Sequence, residues 1–177
     1  MVYASLEMTM KFAWQIGILA LLPTLCLAQI YPPPQGDILL TISGNIDNRN
    51  SPDGFVLDRE TLASFEQVTI QTDNHVVASV YQYQGPRLSD LLSYVGAKGS
   101  ELIVIAWDDY VATIPIEDVT NYPVILATHE NGKIMTIDDK GPLFVVYPFS
   151  DNPELRFDLY YNRSVWQVRE IKVELGN

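Results

Sequence analysis

The sequence predicts an α+β domain, predominantly β, with a mixed sheet and short helices. Three observations predict this. About six or seven short runs rich in β-branched and aromatic residues recur along the chain, separated by Gly, Pro and Asn clusters. Only two or three segments carry helical spacing, and all are short. At 177 residues and 47% hydrophobic content, the chain is long and apolar enough for one core but has no internal repeat or linker to divide it.

The elements follow in order. Tyr31 to Gly36 reads YPPPQG, a stiff polyproline-like lead-in. Ile38 to Ile46 is strand-like, and Asn48 to Gly54 is a turn cluster. Asp58 opens a short helix: Asp58-Arg59-Glu60-Thr61 caps it, and Leu62 and Phe65 give its apolar face. Gln67 to Thr72 alternates as a strand. Arg87 to Val95 is an amphipathic helix, with Leu88, Leu91, Leu92 and Val95 at helical spacing after Gly85-Pro86. Leu102 to Ala106 (LIVIA) reads as a strand buried on both faces. Tyr110 to Ile116 alternates as a strand, Glu117 to Asn121 is a helical turn, and Val124 to Thr128 is a strand before the turn Glu130 to Lys133. Leu143 to Tyr147 is a further core strand, and Ser164 to Leu175 closes the chain as a strand.

The N-terminus reads as a targeting segment rather than part of the fold. Lys11 precedes an apolar run from Phe12 to Leu25, too short to span a bilayer comfortably. The run ends in Cys26-Leu27-Ala28, an A-x-A-like site. The expectation is a signal peptide over residues 1–28, cleaved after Ala28, with a single domain over 29–177 in the periplasm that does not span the membrane. A lipid anchor on Cys26 is disfavoured by the bulky Leu25. Cleavage removes the single cysteine, leaving no thiol chemistry. The formal net charge of -11 argues against nucleic acid and anionic membrane surfaces, because phosphates would be repelled.

Phosphate-loop, dinucleotide-loop and serine-hydrolase motifs are all missing from the sequence. His75 and His129 stand far apart and read as surface or turn residues. Asp108-Asp109 follows a buried strand and precedes Tyr110, so these carboxylates stand at a strand end, as ligand groups or as a solvated turn. Asp138-Asp139 reads as a solvated turn. The segment Asn162 to Gln167 brings a guanidinium, an indole and an amide together. That set suits a flat heteroaromatic ligand, with Trp stacking and Arg and Gln bonding its edge. A purely core role for Trp166 is the competing reading.

Several segments together carry a family resemblance. They are Gln84 to Leu92 (QGPRLSDLL), Ala106 to Pro115 (AWDDYVATIP), Ile125-Leu126-Ala127, Asn131-Gly132, Lys140-Gly141-Pro142-Leu143, Tyr147-Pro148 and Val165-Trp166. In order and spacing the chain resembles the molybdopterin-binding oxidoreductase domain, the sulfite-oxidase fold. The resemblance implies an α+β, predominantly β architecture. It places Tyr110 at the family's active-site tyrosine. It places Thr72 where catalytic members carry a molybdenum-ligating Cys, and a neutral hydroxyl is a poor substitute for a soft thiolate. The neighbourhood Asp73-Asn74-His75-Val76-Val77 is poor in the positive charge that a cofactor phosphate needs.

Small secreted members without that Cys resemble PruR-like pterin-binding proteins. The resemblance implies a non-catalytic periplasmic protein that binds a pterin without molybdenum. It further implies a partner, the periplasmic domain of a membrane-bound cyclic-di-GMP cyclase or phosphodiesterase. The expected pterin site comprises Thr72, Asp73, Asn74, Asp109, Tyr110, Arg163, Ser164 and Trp166. Asp73 or Asp109 would accept from the ring's N–H groups, Trp166 or Tyr110 would stack, and Arg163 would reach its carbonyl. The alternative is a molybdenum-dependent oxidoreductase in the same compartment. A third reading is an interaction domain whose pocket is filled by Trp166 and Tyr110.

Overall fold

The computed structural model describes residues 31, 33–73 and 79–176. The signal-peptide reading, Asn74 and His75 lie outside them. The described chain runs β1 (Ile38–Gly44), β2 (Phe55–Asp58), α1 (Arg59–Ser64), β3 (Gln67–Thr72), β4 (Tyr81–Pro86), α2 (Leu88–Tyr94), β5 (Glu101–Ala106) and β6 (Val111–Pro115). It continues with α3 (Ile116–Asn121), β7 (Ile125–Ala127), β8 (His129–Glu130), β9 (Lys133–Ile134), β10 (Phe144–Val146), α4 (Asp158–Arg163) and β11 (Val168–Glu174). Short strands dominate, the helices have at most seven residues, and the expected class is the observed one.

The strands form a five-stranded sheet in the order β2-β1-β11-β5-β6, a four-stranded sheet β3-β4-β8-β9 and a ribbon β10-β7. The large sheet is mixed, because β1 lies parallel to β11 while its other pairings are antiparallel. One core lies on the inner face of this sheet, where Leu40, Ile42, Leu102, Val104 and Ile171 meet Leu88 and Leu91 of α2. A smaller core gathers Ile70, Tyr83, Met135 and Phe144. The ribbon belongs to both: Leu126 and Val145 enter the large core, and Ile125, Ala127, Phe144 and Val146 enter the small one. Both faces of the ribbon are covered, which explains its unbroken apolar run.

Three expectations change here. LIVIA is not buried on both faces: Leu102, Val104 and Ala106 are buried, and Ile103 and Ile105 are half-buried. The final strand starts at Val168, and an irregularity between Val168 and Glu170 brings Val168 and Ile171 to the same buried face. The sequence pattern does not predict β2 or β4. β2 is four residues, all buried, with no alternation to reveal it. β4 (YQYQGP) ends in the Gly-Pro that reads as a helix lead-in. Among the described residues, no helix is long and apolar enough to cross a membrane.

Asp58 caps α1 as its sequence predicts. Its Oδ1 accepts from the Thr61 N–H at 2.8 Å and the Thr61 hydroxyl at 2.6 Å. Its Oδ2 accepts from the N–H groups of Gln35 at 2.8 Å and Gly36 at 2.9 Å. One carboxylate thus ties the proline-rich lead-in to the first helix. The Thr61 hydroxyl first, then the Gly36 and Thr61 N–H groups, hold the Asp58 carboxyl well below its ordinary range. Gly85 allows β4 to approach β7 closely, since a Cβ there would stand 2.1 Å from the Leu126 carbonyl oxygen.

Two predictions follow from this packing. Gly85→Ala should lower the unfolding free energy in urea by about 1–3 kcal/mol, as overpacking does. Asp58→Ala should cost about 1–2 kcal/mol at neutral pH. A lowered folded pKa stabilises above the unfolded value and is lost as pH falls towards the folded one. The difference between wild type and Asp58→Ala should therefore stay flat down to about pH 5 and shrink below about pH 4, measured as denaturation midpoints across pH.

Candidate functional site

One end of the five-stranded sheet carries most of the chemistry. There β5 turns into β6 through Trp107 to Tyr110, and the chain enters β11 through Ser164 to Gln167. The turn is fixed by its backbone: Ala106 N–H donates to Tyr110 O at 2.9 Å, and Asp109 N–H to Ala106 O at 3.2 Å. Asp109 takes a left-handed conformation (φ 65°), which Asp tolerates better than most residues. Asp108 Oδ1 accepts from the Tyr110 N–H at 3.0 Å. Arg169 of β11 clamps the turn, donating from Nε to Ala106 O at 2.9 Å and from Nη2 to Asp109 Oδ1 at 2.8 Å.

Gln167 is also left-handed (φ 53°), an uncommon state for a side chain of this kind. Four hydrogen bonds hold it. Its N–H donates to Lys140 O at 2.9 Å and its carbonyl accepts from Trp107 N–H at 3.0 Å. Its Nε2 donates to Ile137 O at 2.6 Å and Asp139 O at 3.2 Å.

Between these two segments lies a cleft of about 340 Å³. Ala106, Asp108 and Tyr110 form one wall. Tyr161, Asn162, Ser164, Trp166 and Gln167 form the other. The Tyr110 hydroxyl crosses between them, donating to Asn162 O at 2.9 Å. Trp166 is half-buried, its ring edge-to-face with Phe144 at 5.9 Å. Lys140 Nζ lies 5.8 Å from the Trp166 ring centroid and 5.6 Å from that of Tyr81, and pairs with Glu130. Trp166 is therefore seated against the small core while part of it faces the cleft.

Of the expected site residues, Tyr110, Ser164 and Trp166 meet at this cleft. The Ser164 hydroxyl is spent on Tyr160 O at 3.1 Å. Asn74 lies outside the described residues, and the other four go elsewhere. Asp109 points its carboxylate to Arg169 and does not line the cleft. Arg163 also leaves it: Nη1 donates to Asp118 Oδ2 at 2.8 Å. Asp73 is gripped by Arg156 through two bonds of 2.9 and 3.0 Å and accepts from the Ser150 hydroxyl at 3.3 Å. Thr72 is 1% exposed; its hydroxyl donates to Asp73 O at 3.0 Å and accepts from Ser150 N–H at 3.3 Å. Thr72 and Asp73 thus belong to a polar cluster with Ser150 and Arg156 at the end of β3. Sequence reasoning passed over Tyr161 at the cleft, and Tyr81 and Glu130 around Lys140. No linear signal marks them, because the topology alone brings them near Trp166.

The model for the "Oxidoreductase molybdopterin binding domain" family matches residues 40–151. No curated protein matches the sequence. Among solved structures, the crystal structure of the sulfane dehydrogenase SoxCD from Paracoccus pantotrophus matches with a TM-score of 0.57 and 21% identity. The match covers 76% of this chain but only 37% of that one, and at this identity it shows the fold alone. The family model overturns the expectation of a non-enzymatic protein, because the family it describes is one of oxidoreductase domains.

The pterin and metal parts of such a cofactor fare differently against these residues. A flat ring fits a cleft walled by Trp166 and Tyr110, with Asp108 and Gln167 as polar groups. The position of the expected metal thiolate does not fit molybdenum, because the Thr72 hydroxyl is buried and engaged in both directions. Among the described residues, no group of three or more His, Cys, Asp or Glu side chains could hold a metal ion.

The cleft wall that carries Asn162 and Ser164 is anchored from behind. Asp118 Oδ2 accepts from the Tyr147 hydroxyl at 2.9 Å as well as from Arg163. Burial first, then the Asp118 charge, push the Tyr147 phenol well above its ordinary range, so it stays a donor. Arg163 Nε is buried without a hydrogen-bond partner among the described residues, so the guanidinium leans on Asp118. Asp118→Ala should therefore destabilise the fold by about 3 kcal/mol, the cost of stranding a largely buried charge. Urea denaturation checks this.

Proposed function

The chain belongs to the oxidoreductase molybdopterin-binding domain family, and we propose that it binds a pterin-type cofactor in the cleft between the β5–β6 turn and the Ser164–Gln167 segment. The supporting observation is the convergence of Trp166 and Tyr110 with Asp108 and Gln167 around one cleft of ligand size. When bound, such a group supplies oxidation–reduction chemistry to the domain. The chain's own residues bind and orient it. Trp166 offers a stacking face held by Phe144. Asp108 commits Oδ1 to the Tyr110 amide and retains acceptor capacity for ring-edge N–H groups. The Gln167 amide nitrogen is committed to Ile137 and Asp139, which fixes the floor. Among the described residues, the cleft lining contains a carboxylate and no Lys or Arg, so it favours a neutral ring over a phosphate-bearing tail.

The proposal extends to setting and partner. A cleaved segment over residues 1–28 would place the protein in the periplasm. There the pterin-loaded form would act on the periplasmic domain of a membrane-bound cyclic-di-GMP cyclase or phosphodiesterase. The sequence resemblance to small secreted PruR-like proteins supports this. The net charge of -11 also suits a partner with a basic surface.

Titration with tetrahydropterin, followed by calorimetry under anaerobic conditions, tests the site. Wild type should bind. Trp166→Ala should weaken binding about tenfold or more, since stacking contributes about 1–3 kcal/mol. Asp108→Asn should weaken it with unchanged thermal stability. Wild type without affinity, or both variants at wild-type affinity, would remove the cofactor from this cleft.

A further inference from the structure

Lysine side chains usually keep their ammonium in water, and Lys140 does not. It stands in the loop between β9 and β10 with its side chain 13% exposed. Its ammonium lies 5.6 Å from the Tyr81 ring centroid and 5.8 Å from that of Trp166. It pairs with Glu130 of β8, whose side chain is 22% exposed. Lys133 is the cross-strand neighbour of Glu130 in the β8–β9 hairpin. Lys133 is exposed, and among the described residues the Glu130 ion pair goes to Lys140.

Four rings run through the small core in succession. Tyr81 meets Tyr83 at 6.4 Å, Tyr83 meets Phe144 at 5.4 Å, and Phe144 meets Trp166 at 5.9 Å. Lys140 joins the two ends of this series, because its ammonium contacts both Tyr81 and Trp166. The main chain of Lys140 serves the same place: its carbonyl accepts from the Gln167 N–H at 2.9 Å. One residue thus holds Gln167 by its backbone and touches Trp166 by its side chain. An ion pair this far from water does little for stability, since desolvation offsets the attraction and an apolar pair of similar size would serve the fold as well. A cation over an indole supplies direction instead, because it draws the ring towards one point.

We propose that Lys140 is a positioning residue for Trp166: its ammonium, fixed by Glu130 and Tyr81, holds the indole in the orientation that presents it to the cleft. Phe144 supports the ring from β10, and Lys140 supports it from a separate loop. A ring already oriented loses less freedom when a ligand stacks on it, so the cation acts on ligand affinity without touching the ligand. The effect on affinity rests on the pterin reading of the cleft, and the effect on the ring does not.

Two measurements on the full chain separate these effects. In the first, Trp14→Phe and Trp107→Phe leave Trp166 as the single tryptophan of the three, and time-resolved fluorescence anisotropy reads its motion without ligand. With Lys140 in place the indole should turn with the whole molecule. Lys140→Met keeps the stem and removes the charge, and it should add a fast nanosecond decay. Lys140→Arg keeps a cation over the ring and should restore the slow decay. In the second, calorimetry with tetrahydropterin should show Lys140→Met binding about fivefold more weakly than wild type, and Lys140→Arg within about twofold. Unchanged thermal denaturation midpoints show that packing is kept. Should Lys140→Met fail to fold, Lys140→Gln takes its place. The inference is overturned if the indole is as rigid in Lys140→Met as with Lys140, if Lys140→Arg is as mobile as Lys140→Met, or if Lys140→Met binds the pterin as wild type binds it. A wild type without affinity for tetrahydropterin, with the indole still freed by Lys140→Met, removes the pterin reading and supports the positioning role.

Discussion

The ribbon β7-β10 is the constraint on which the molecule turns. Its strands are three residues each and wholly buried, yet they serve two cores at once. Because strand side chains alternate, Val145 faces the large core while Phe144 and Val146 face the small one. A slip of one residue would exchange the two sets, putting Phe144 among the packed aliphatics and Val145 under Trp166. Register in this ribbon therefore fixes how the two larger sheets meet. Gly85 tightens the same junction by letting β4 come against Leu126.

The cleft inherits its shape from that junction. Phe144 supports the Trp166 ring, so the small core sets where the indole stands. The opposite wall depends on the large sheet, where Arg169 fastens the β5–β6 turn. Two residues in the left-handed region, Asp109 and Gln167, stand on either side. Each costs of order 1 kcal/mol or more in backbone strain, and each is held by surrounding bonds. Strain of this kind persists where the surroundings over-determine it, and here the surroundings are the two walls of the cleft.

How much of this was legible in the sequence depended on how local each signal was. The Asp58 cap, the amphipathic α2 and the strand-end position of Asp108 were local, and each is where its residues predicted. Tyr110, Ser164 and Trp166 converge because their segments sit at the ends of neighbouring strands, which the order of elements makes natural. The fates of Asp73 and Arg163 were not legible. Their partners, Arg156 and Asp118, are 83 and 45 residues away. A charged side chain in a sequence looks available to a ligand until its counter-ion is known. β4 was hidden for a related reason: its polar alternation YQYQ carries little apolar contrast, and its pairing with β3 supplies the stability instead.

The family assignment and the residue at position 72 pull in different directions, and chemistry reconciles them only in part. Family membership sets the class of domain: a scaffold of the molybdopterin-binding oxidoreductase type. Within that scaffold, the end of β3 forms a hydrogen-bonded latch. Thr72 and Asp73 bind Ser150, and Arg156 clamps Asp73 from the far side of the same loop. A thiolate in place of the Thr72 hydroxyl could not donate to Asp73 O, so the latch and a soft metal ligand are competing uses of one buried position. The ring-sized cleft at Trp166 carries no such conflict. Its acceptor and stacking groups are not committed to a competing use of that kind, so the pterin binding we propose draws on Trp166 and Asp108 and not on position 72.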